Sequence, residues 1–511
     1  MLSMIGAVIS GTGLLSSVPS LLLVGLAIGV AIVGILGINR PAGFPPGPTP
    51  IPFVGNIPKS GQPLWITVGE LSKEYGDVFS LKLGDKWYVI LNSYETIKDG
   101  MAARPLALAN RPHYYTTDIF SDNYRDIAYT DYSPSWVLHR QFALNAFSDV
   151  YGATQLDRVA HQQFTRYVEP LLESVRGTKQ SVDGIALGQL MAMGSVVTWC
   201  FGPCNEHLHR DLVKVVSVDV STYLVGQRIP VDIFPILRYF PLSTNRIVKD
   251  VGDRFLTILR DEFNSRRQSF KEDEEITDLC GALLRAQKKA EQERKYDFLT
   301  DVHVVQVLAS SFRGSTGLLA NTYWGLALLA EYPDVQQRIV NEIHDVIGRD
   351  RQPSLNDRDA MPYTIATAME MLRFGSVAPL GVPRAAYEDV TIGGYGIPKG
   401  TGILYNIYGT HFSDVNFANP DEFNPERFLN SSGSVNVSPD KLIPFGMGTR
   451  KCLGYFFAQS ILFLAFTHLL QGYELSKLDG QPGDGSLLGQ DPQYQGSRWP
   501  SPFRLGVAKR E

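Results

Sequence analysis

Cysteine is scarce in this chain: Cys200, Cys204, Cys280 and Cys452 are the only four among 511 residues. So few thiols build no disulfide framework, and a functional one is expected to be free, on the reducing side of a membrane. Charge of either sign is also modest, with 47 Lys and Arg against 52 Asp and Glu and a net charge of −5. That argues against nucleic acid as the main partner, since phosphate binding calls for a clustered basic excess. No Gly-x-Ser-x-Gly elbow of a serine hydrolase occurs. The nine histidines are scattered, and His207-x-His209 reads as a polar loop because no further metal ligand accompanies it. A nucleotide-binding loop is missing as well. Gly446-x-Gly448 lacks a third glycine, and Lys451 is followed by Cys452 rather than Ser or Thr. Finally, no charged side chain precedes Arg40.

What is present is a chain that is 44% hydrophobic, 11% aromatic and 19% charged, enough to bury a large core. Length alone, at ~150 residues per domain, suggests three domains. Without internal repeats, and with long amphipathic stretches from Tyr151 to Ile347, one large α-rich domain fits better. Pro19 to Ile38 is apolar apart from Ser20 and, as a helix, is about 30 Å long, the thickness of a bilayer core. The first positive charges, Arg40 and Lys59, follow it, which predicts a single-pass anchor with the rest of the chain cytosolic. The expected organisation is an anchor over 1–40, a proline-rich hinge over 41–60 and a catalytic body over 61–511. Prolines at the density of Pro41 to Pro52 favour a stiff, extended spacer.

Val78 to Leu91 alternates around Gly84-Asp85 and predicts a β-hairpin. Short strands are expected between Gly381 and Ile403, with turns at Gly393-Gly394 and Pro398-Lys-Gly400. Lys271 to Glu275 reads as a solvated loop. A last apolar helix is expected over Leu453–Leu470, and the tail from Asp479 reads as turns and short strands.

The richest motif is Phe445-Gly-Met-Gly-Thr-Arg-Lys-Cys-Leu-Gly454. Gly446 and Gly448 permit a tight turn with backbone N–H groups near a sulfur. Cys452 falls where a helix begins, whose positive dipole end favours a thiolate, and Arg450 adds a nearby charge. The other cysteines lack this setting and read as small core residues. With Phe445, Gly448, Arg450, Cys452 and Gly454 in place, the loop resembles the haem-binding loop of the cytochrome P450 family. Glu370-Met-Leu-Arg373 resembles that family's Glu-x-x-Arg pair, and Pro425-Glu-Arg-Phe428 the segment whose Arg427 completes a Glu–Arg–Arg lock. Trp136-x-x-x-Arg140 resembles a helix that reaches a haem propionate, and Arg384 sits where a second propionate contact is expected. Asp232-Ile-Phe-Pro235 and the proline hinge also fit. Taken singly, each has a plain alternative: Glu370 and Arg373 are neighbours on one helix face, a common surface pairing. Their joint order along residues 41–506 is what carries the resemblance.

The resemblance implies a mainly α fold with small β-sheets, haem b ligated by Cys452, and a clamp of Trp136, Arg140, Arg384 and Arg450 on its propionates. It implies a monooxygenase of hydrophobic small molecules at the endoplasmic reticulum membrane, with a tailoring role in specialised metabolism. Electrons would come from NADPH through a separate NADPH–cytochrome P450 reductase. Arg450 and Lys451 could meet that partner, although Val137 and Gln141 stand where basic residues are frequent.

One segment departs from the pattern. The family's acid–alcohol pair falls on Thr316 and Gly317, so the alcohol is missing; a one-residue slip would make Ser315 and Thr316 the relay. Gly314 and Gly317 each cost about 1 kcal/mol inside a helix. Arg313 needs an anion if buried: either a substrate carboxylate or an Asp or Glu on a neighbouring helix. These departures keep three alternatives in view: a haem-thiolate isomerase or cyclase, a peroxygenase, and a non-catalytic haem sensor.

Overall fold

The computed structural model describes Gly25 and residues 38–56, 62–175, 181–204, 206–226, 230–293, 299–436, 439–478 and 486–510, without the side chains of 223–226. Of the expected anchor over 1–40, all but Gly25 and residues 38–40 lies outside these residues. Seven helices frame the interior: α1 (Leu64–Tyr75), α2 (Pro134–Asp149), α3 (Ser243–Ser269), α4 (Asp301–Glu331), α5 (Pro333–Val346), α6 (Pro362–Gly375) and α7 (Tyr455–Gly472). Strands β1 (Val78–Leu83) and β2 (Lys86–Leu91) form the hairpin read from the sequence. They continue through β7 (Gly402–Tyr405) to β4 (Arg384–Ala385). β5 (Val390–Ile392) and β6 (Tyr395–Ile397) make a second hairpin, closed by Gly393 and Gly394, both at positive φ. β3 (Val182–Asp183), β9 (Arg504–Lys509) and β8 (Tyr473–Lys477) form a third small sheet, so helices dominate.

Local chemistry sets the helix ends. α2 starts where Ser133 accepts the Trp136 N–H at 3.1 Å and Pro134 occupies the first turn. α4 starts with a capping box between Thr300 and His303 and ends at Tyr332, just before Pro333. α7 begins at Tyr455, two residues later than the sequence suggested, because Leu453 and Gly454 still complete the turn that carries Cys452. The proline-rich stretch is not a free spacer: the Ser80 N–H donates to Pro46 O at 2.7 Å and Ser80 Oγ to Pro45 O at 2.8 Å, which lays it along β1. His207 and His209 stand on the helix Glu206–Lys214 rather than in a loop, with His209 buried. The helix is amphipathic, and its apolar face takes His209 inward. Among the described residues no group of His, Cys, Asp and Glu could hold a metal ion.

α4 runs through the centre, buried along most of its length, as expected of a helix with apolar residues all round. α6 packs beside it and carries Glu370 and Arg373, both fully buried. Arg373 donates to Glu370 through Nε at 2.7 Å and Nη2 at 2.8 Å, and Arg427 Nε donates to the same carboxylate at 3.0 Å. The remaining guanidinium donors bind carbonyls of His411, Ala418, Asn419, Pro420 and Glu422. The lock therefore orders the long segment that leads into the cysteine loop. His411 extends it: its ring faces Ser376 Oγ at 2.8 Å, while its Nε2 accepts the Ile443 N–H at 3.0 Å.

Removing the Glu370 carboxylate leaves two guanidinium groups in the interior without a counter-charge. Glu370→Ala should lower unfolding free energy by about 3–5 kcal/mol, read from urea denaturation. A second expectation concerns acid. Burial first, then Arg373, pushes His411 down from its ordinary 6.5 to about 3, and a proton on Nε2 would break the Ile443 bond. The unfolded chain takes up that proton near the ordinary value while the folded one resists it. The contribution is thus complete above pH 6.5 and declines as pH falls toward 3. At pH 5 the loss should be about 2 kcal/mol. Buried His139, His209 and His468 shift in the same sense. The comparison of His411→Gln with the parent isolates this residue; equal slopes of stability against pH would refute the assignment.

Candidate functional site: a thiol loop ringed by buried arginines

The cysteine loop is built by two glycines in the left-handed region, Gly446 (φ 65°) and Gly448 (φ 69°). At Gly448 a side chain is excluded outright, since a Cβ would sit 1.9 Å from Met101 O. The Cys452 N–H donates to Phe445 O at 3.0 Å, closing the loop. Burial pushes the Cys452 thiol up, whereas the Gly454 N–H, Arg140 and Lys451 pull it down. The side chain is nonetheless accessible to solvent. Cys200 and Cys280 are buried and Cys204 half-buried, all with thiols pushed up by burial, as for inert core cysteines.

Four arginines converge near this loop. Arg450 is buried and stacked 3.8 Å over the Trp136 ring. Burial and then repulsion from Arg111, Arg384 and Arg140 push its guanidinium down to about 8. Arg111 is pushed down to about 9 by burial and then by Arg384, and Arg140 to about 10 by burial. No described carboxylate lies within ion-pair distance of any of the four. Arg384 Nε is buried without a partner. Like charges gathered in the interior are costly without an anion between them. A dianionic ligand fits this donor set, and a haem with two propionates beside a cysteine sulfur is such a ligand.

The residues expected to clamp that ligand divide into two kinds. Arg140 gives Nη2 to Lys451 O at 2.6 Å, while Arg384 reaches Met447 O at 3.5 Å and the Tyr405 side chain but leaves its buried Nε without a partner, so both keep free donors. Trp136 spends its one ring N–H on Ile127 O at 3.0 Å. Arg450 donates to Ala109 O at 2.7 Å, Ile127 O at 3.5 Å and Thr130 O at 2.6 Å. Trp136 and Arg450 thus hold backbone in this structure. Arg111 is the member that sequence reasoning missed, since it belongs to none of the motifs. Phe445 is half-buried and Gly454 forms the N-cap of α7, with open space where a Cβ would stand.

On α4 the helical phase decides what faces open space. A Cβ built on Gly314 or Gly317 meets nothing within 4 Å. At 3.6 residues per turn, Ser310, Gly314, Gly317 and Asn321 form one stripe. Ser315 and Thr316 lie off it. Ser315 Oγ donates to Phe312 O at 2.6 Å and lies 2.8 Å from Met193 Sδ; Thr316 Oγ1 donates to Arg313 O at 2.9 Å. The expected hydroxyl relay of Ser315 and Thr316 therefore turns away from the stripe. The polar groups on it are Ser310 and Asn321, whose Nδ2 donates to Gly317 O at 2.8 Å. Arg313 finds its anion within the protein: Nη2 donates to Asp126 at 2.8 Å, with both side chains buried. That carboxylate comes from a loop, not a neighbouring helix, and it occupies the guanidinium that was a candidate for gripping a substrate carboxylate.

Comparison with known proteins agrees with this geometry. The sequence profile of the family described as Cytochrome P450 matches residues 45–489. Steroid 17-alpha-hydroxylase/17,20 lyase of Ictalurus punctatus is 32% identical over 452 residues, covering 86% of each chain. The protein of the same name from Sus scrofa is 31% identical, again over 86% of both. Cytochrome P450 1A1 of Chelon auratus is 28% identical over 89% of both. A thiol loop ringed by arginines that make no ion pair among the described residues, a buried Glu–Arg–Arg lock and a profile match across most of the chain together place this protein in the cytochrome P450 family, as a monooxygenase.

Proposed function

We propose that Cys452 would hold a haem b through its thiolate and that the chain inserts one atom of dioxygen into a hydrophobic small molecule. The observation that carries this reading is the set of four converging arginines beside the Cys452 loop, Arg111, Arg140, Arg384 and Arg450, none ion-paired with a described carboxylate and with Asp126 as the one buried carboxylate acting on two of them. Arg140 and Arg384 have donors left for propionates, while Trp136 and Arg450 fix the backbone around them. The bound group supplies the oxidising chemistry, which thiolate donation favours. The protein's own part is to orient, to exclude water and to bring protons. On the open stripe of α4 that last task falls to Ser310, Asn321 and ordered water, since Thr316 and Ser315 turn elsewhere.

Electrons are proposed to come from NADPH through a separate NADPH–cytochrome P450 reductase. Of the two cations expected to meet it, Arg450 is buried and only Lys451 is exposed. Val137, Leu138 and Leu144 are exposed on α2 nearby. A bilayer location, with the anchor in the endoplasmic reticulum and the body cytosolic, rests on the apolar run Pro19–Ile38 and on exposed Ile236, Tyr239 and Phe240. A tailoring step in specialised metabolism is the pathway role proposed, supported by the resemblance to the family alone. The relatives named as steroid hydroxylases suggest a rigid, apolar substrate as the first class to screen.

Gly317 at the alcohol position favours a second reading, a peroxygenase, isomerase or cyclase that does not draw on the usual proton relay.

Two measurements test these readings. Cys452→Ser, reduced under carbon monoxide, should lose the red-shifted Soret band of thiolate ligation; a retained band would remove Cys452 from its role. Product from a turned-over substrate should require both NADPH and reductase. Formation at an equal rate with peroxide alone, or with no oxidant, would select the second reading.

A further inference from the structure

Asp126 sits at a junction between the centre of α4 and the cysteine loop. One carboxylate oxygen accepts the N–H groups of Tyr129 at 2.8 Å and Thr130 at 3.3 Å, which folds residues 126–130 into a turn. The other accepts Arg313 Nη2 at 2.8 Å. Arg313 is further held by Phe120 O at 2.6 Å, Gln306 Oε1 and Ser310 Oγ. Carbonyls of this same turn receive the donors beside the thiol loop: Ile127 O takes Trp136 Nε1 and Arg450 Nη1, Ala128 O takes Arg111 Nε at 2.8 Å, and Thr130 O takes Arg450 Nη2. Arg450 is two residues from Cys452.

We infer that Arg313 and Asp126 are a positioning pair, which sets the turn at 126–130 and through it the height and angle of the Cys452 loop. Neither residue touches the reacting atoms. The turn presents three carbonyls to four N–H donors from three residues, and it keeps that presentation only while the Asp126 carboxylate is held in place. Both side chains are buried, and Arg313 is the only described residue that forms an ion pair with the carboxylate. Without Arg313, the carboxylate loses that fixed partner and the turn it anchors shifts. Arg450 then loses the alignment of the carbonyls that hold it, and the strain passes along two residues to the sulfur. A charge on the central helix is in this way coupled to a ligand loop 139 residues further along the chain, with no contact between Arg313 and the loop itself.

The inference rests on the haem-thiolate reading, and the experiment separates the two. Full-length holoprotein is prepared as wild type, Arg313→Met, Arg313→Lys, Asp126→Asn and Asp126→Ala. For each, the rate at which the reduced, carbon monoxide-bound form loses its red-shifted Soret band is compared with the rate of global unfolding followed by far-ultraviolet circular dichroism. Arg313→Met and Asp126→Ala should lose the band about tenfold faster than wild type, the scale of one charge-assisted hydrogen bond, without a matching rise in unfolding rate. Asp126→Asn, which keeps an acceptor for the turn, should be intermediate, and Arg313→Lys should restore most of the wild-type lifetime. Should the more drastic variants fail to fold, Asp126→Asn and Arg313→Lys decide. Band loss at the wild-type rate, or only in step with unfolding, would overturn the positioning role. A wild type without the band would instead overturn the haem-thiolate reading.

Discussion

Positive charge in excess of its internal counter-charge is the constraint on which the rest of this structure depends. Arg111, Arg140, Arg384 and Arg450 are drawn into one region, and burial with mutual repulsion weakens the hold of Arg450 and Arg111 on their protons. A fold does not gain from such an arrangement by itself. It becomes favourable when an anion of matching charge enters, so binding and folding are coupled. The same cations also pull against the burial that raises the Cys452 thiol, with Arg140 and Lys451 acting directly. Ligand capture and thiolate formation thus draw on one field.

Keeping four guanidinium groups close requires rigid backbone, and carbonyls supply it. Ala109, Ile127, Ala128, Thr130, Val382, Pro383 and Lys451 all accept from members of the cluster. The fully ion-paired lock of Glu370 with Arg373 and Arg427 does the complementary work on the other flank. There one carboxylate bridges both guanidinium groups, and backbone carbonyls take their remaining donors, so the lock orders the chain that delivers Ile443 and the loop after it. Two buried polar networks, one bridged by a carboxylate and one not, accordingly play different parts.

Much of this was legible in the sequence. The β1–β2 hairpin, the Glu370–Arg373 spacing, the loop from Phe445 to Gly454 and the expectation of a single α-rich body all follow from rules that act over a few residues: pleat alternation, helical periodicity and glycine's access to positive φ. The family follows from the joint order of those local signals. The start of α7 was misplaced by two residues because a helix end depends on which N–H groups the preceding turn has already engaged.

Tertiary structure decided the rest, and for one physical reason: a polar side chain's role depends on the partner it meets, and that partner arrives from distant sequence. Arg313 meets Asp126 from 187 residues away. Trp136 donates to Ile127, and Arg111 joins the cluster only because its loop is folded back against β4 and the cysteine loop. Ser315 and Thr316 lie off the open stripe of α4 by helical phase, and that phase is set by packing of the whole helix, not by the local motif. The residues and their spacing determined which chemistry this protein can host; the long-range return of the chain decided which of them face that chemistry and which hold the others in place.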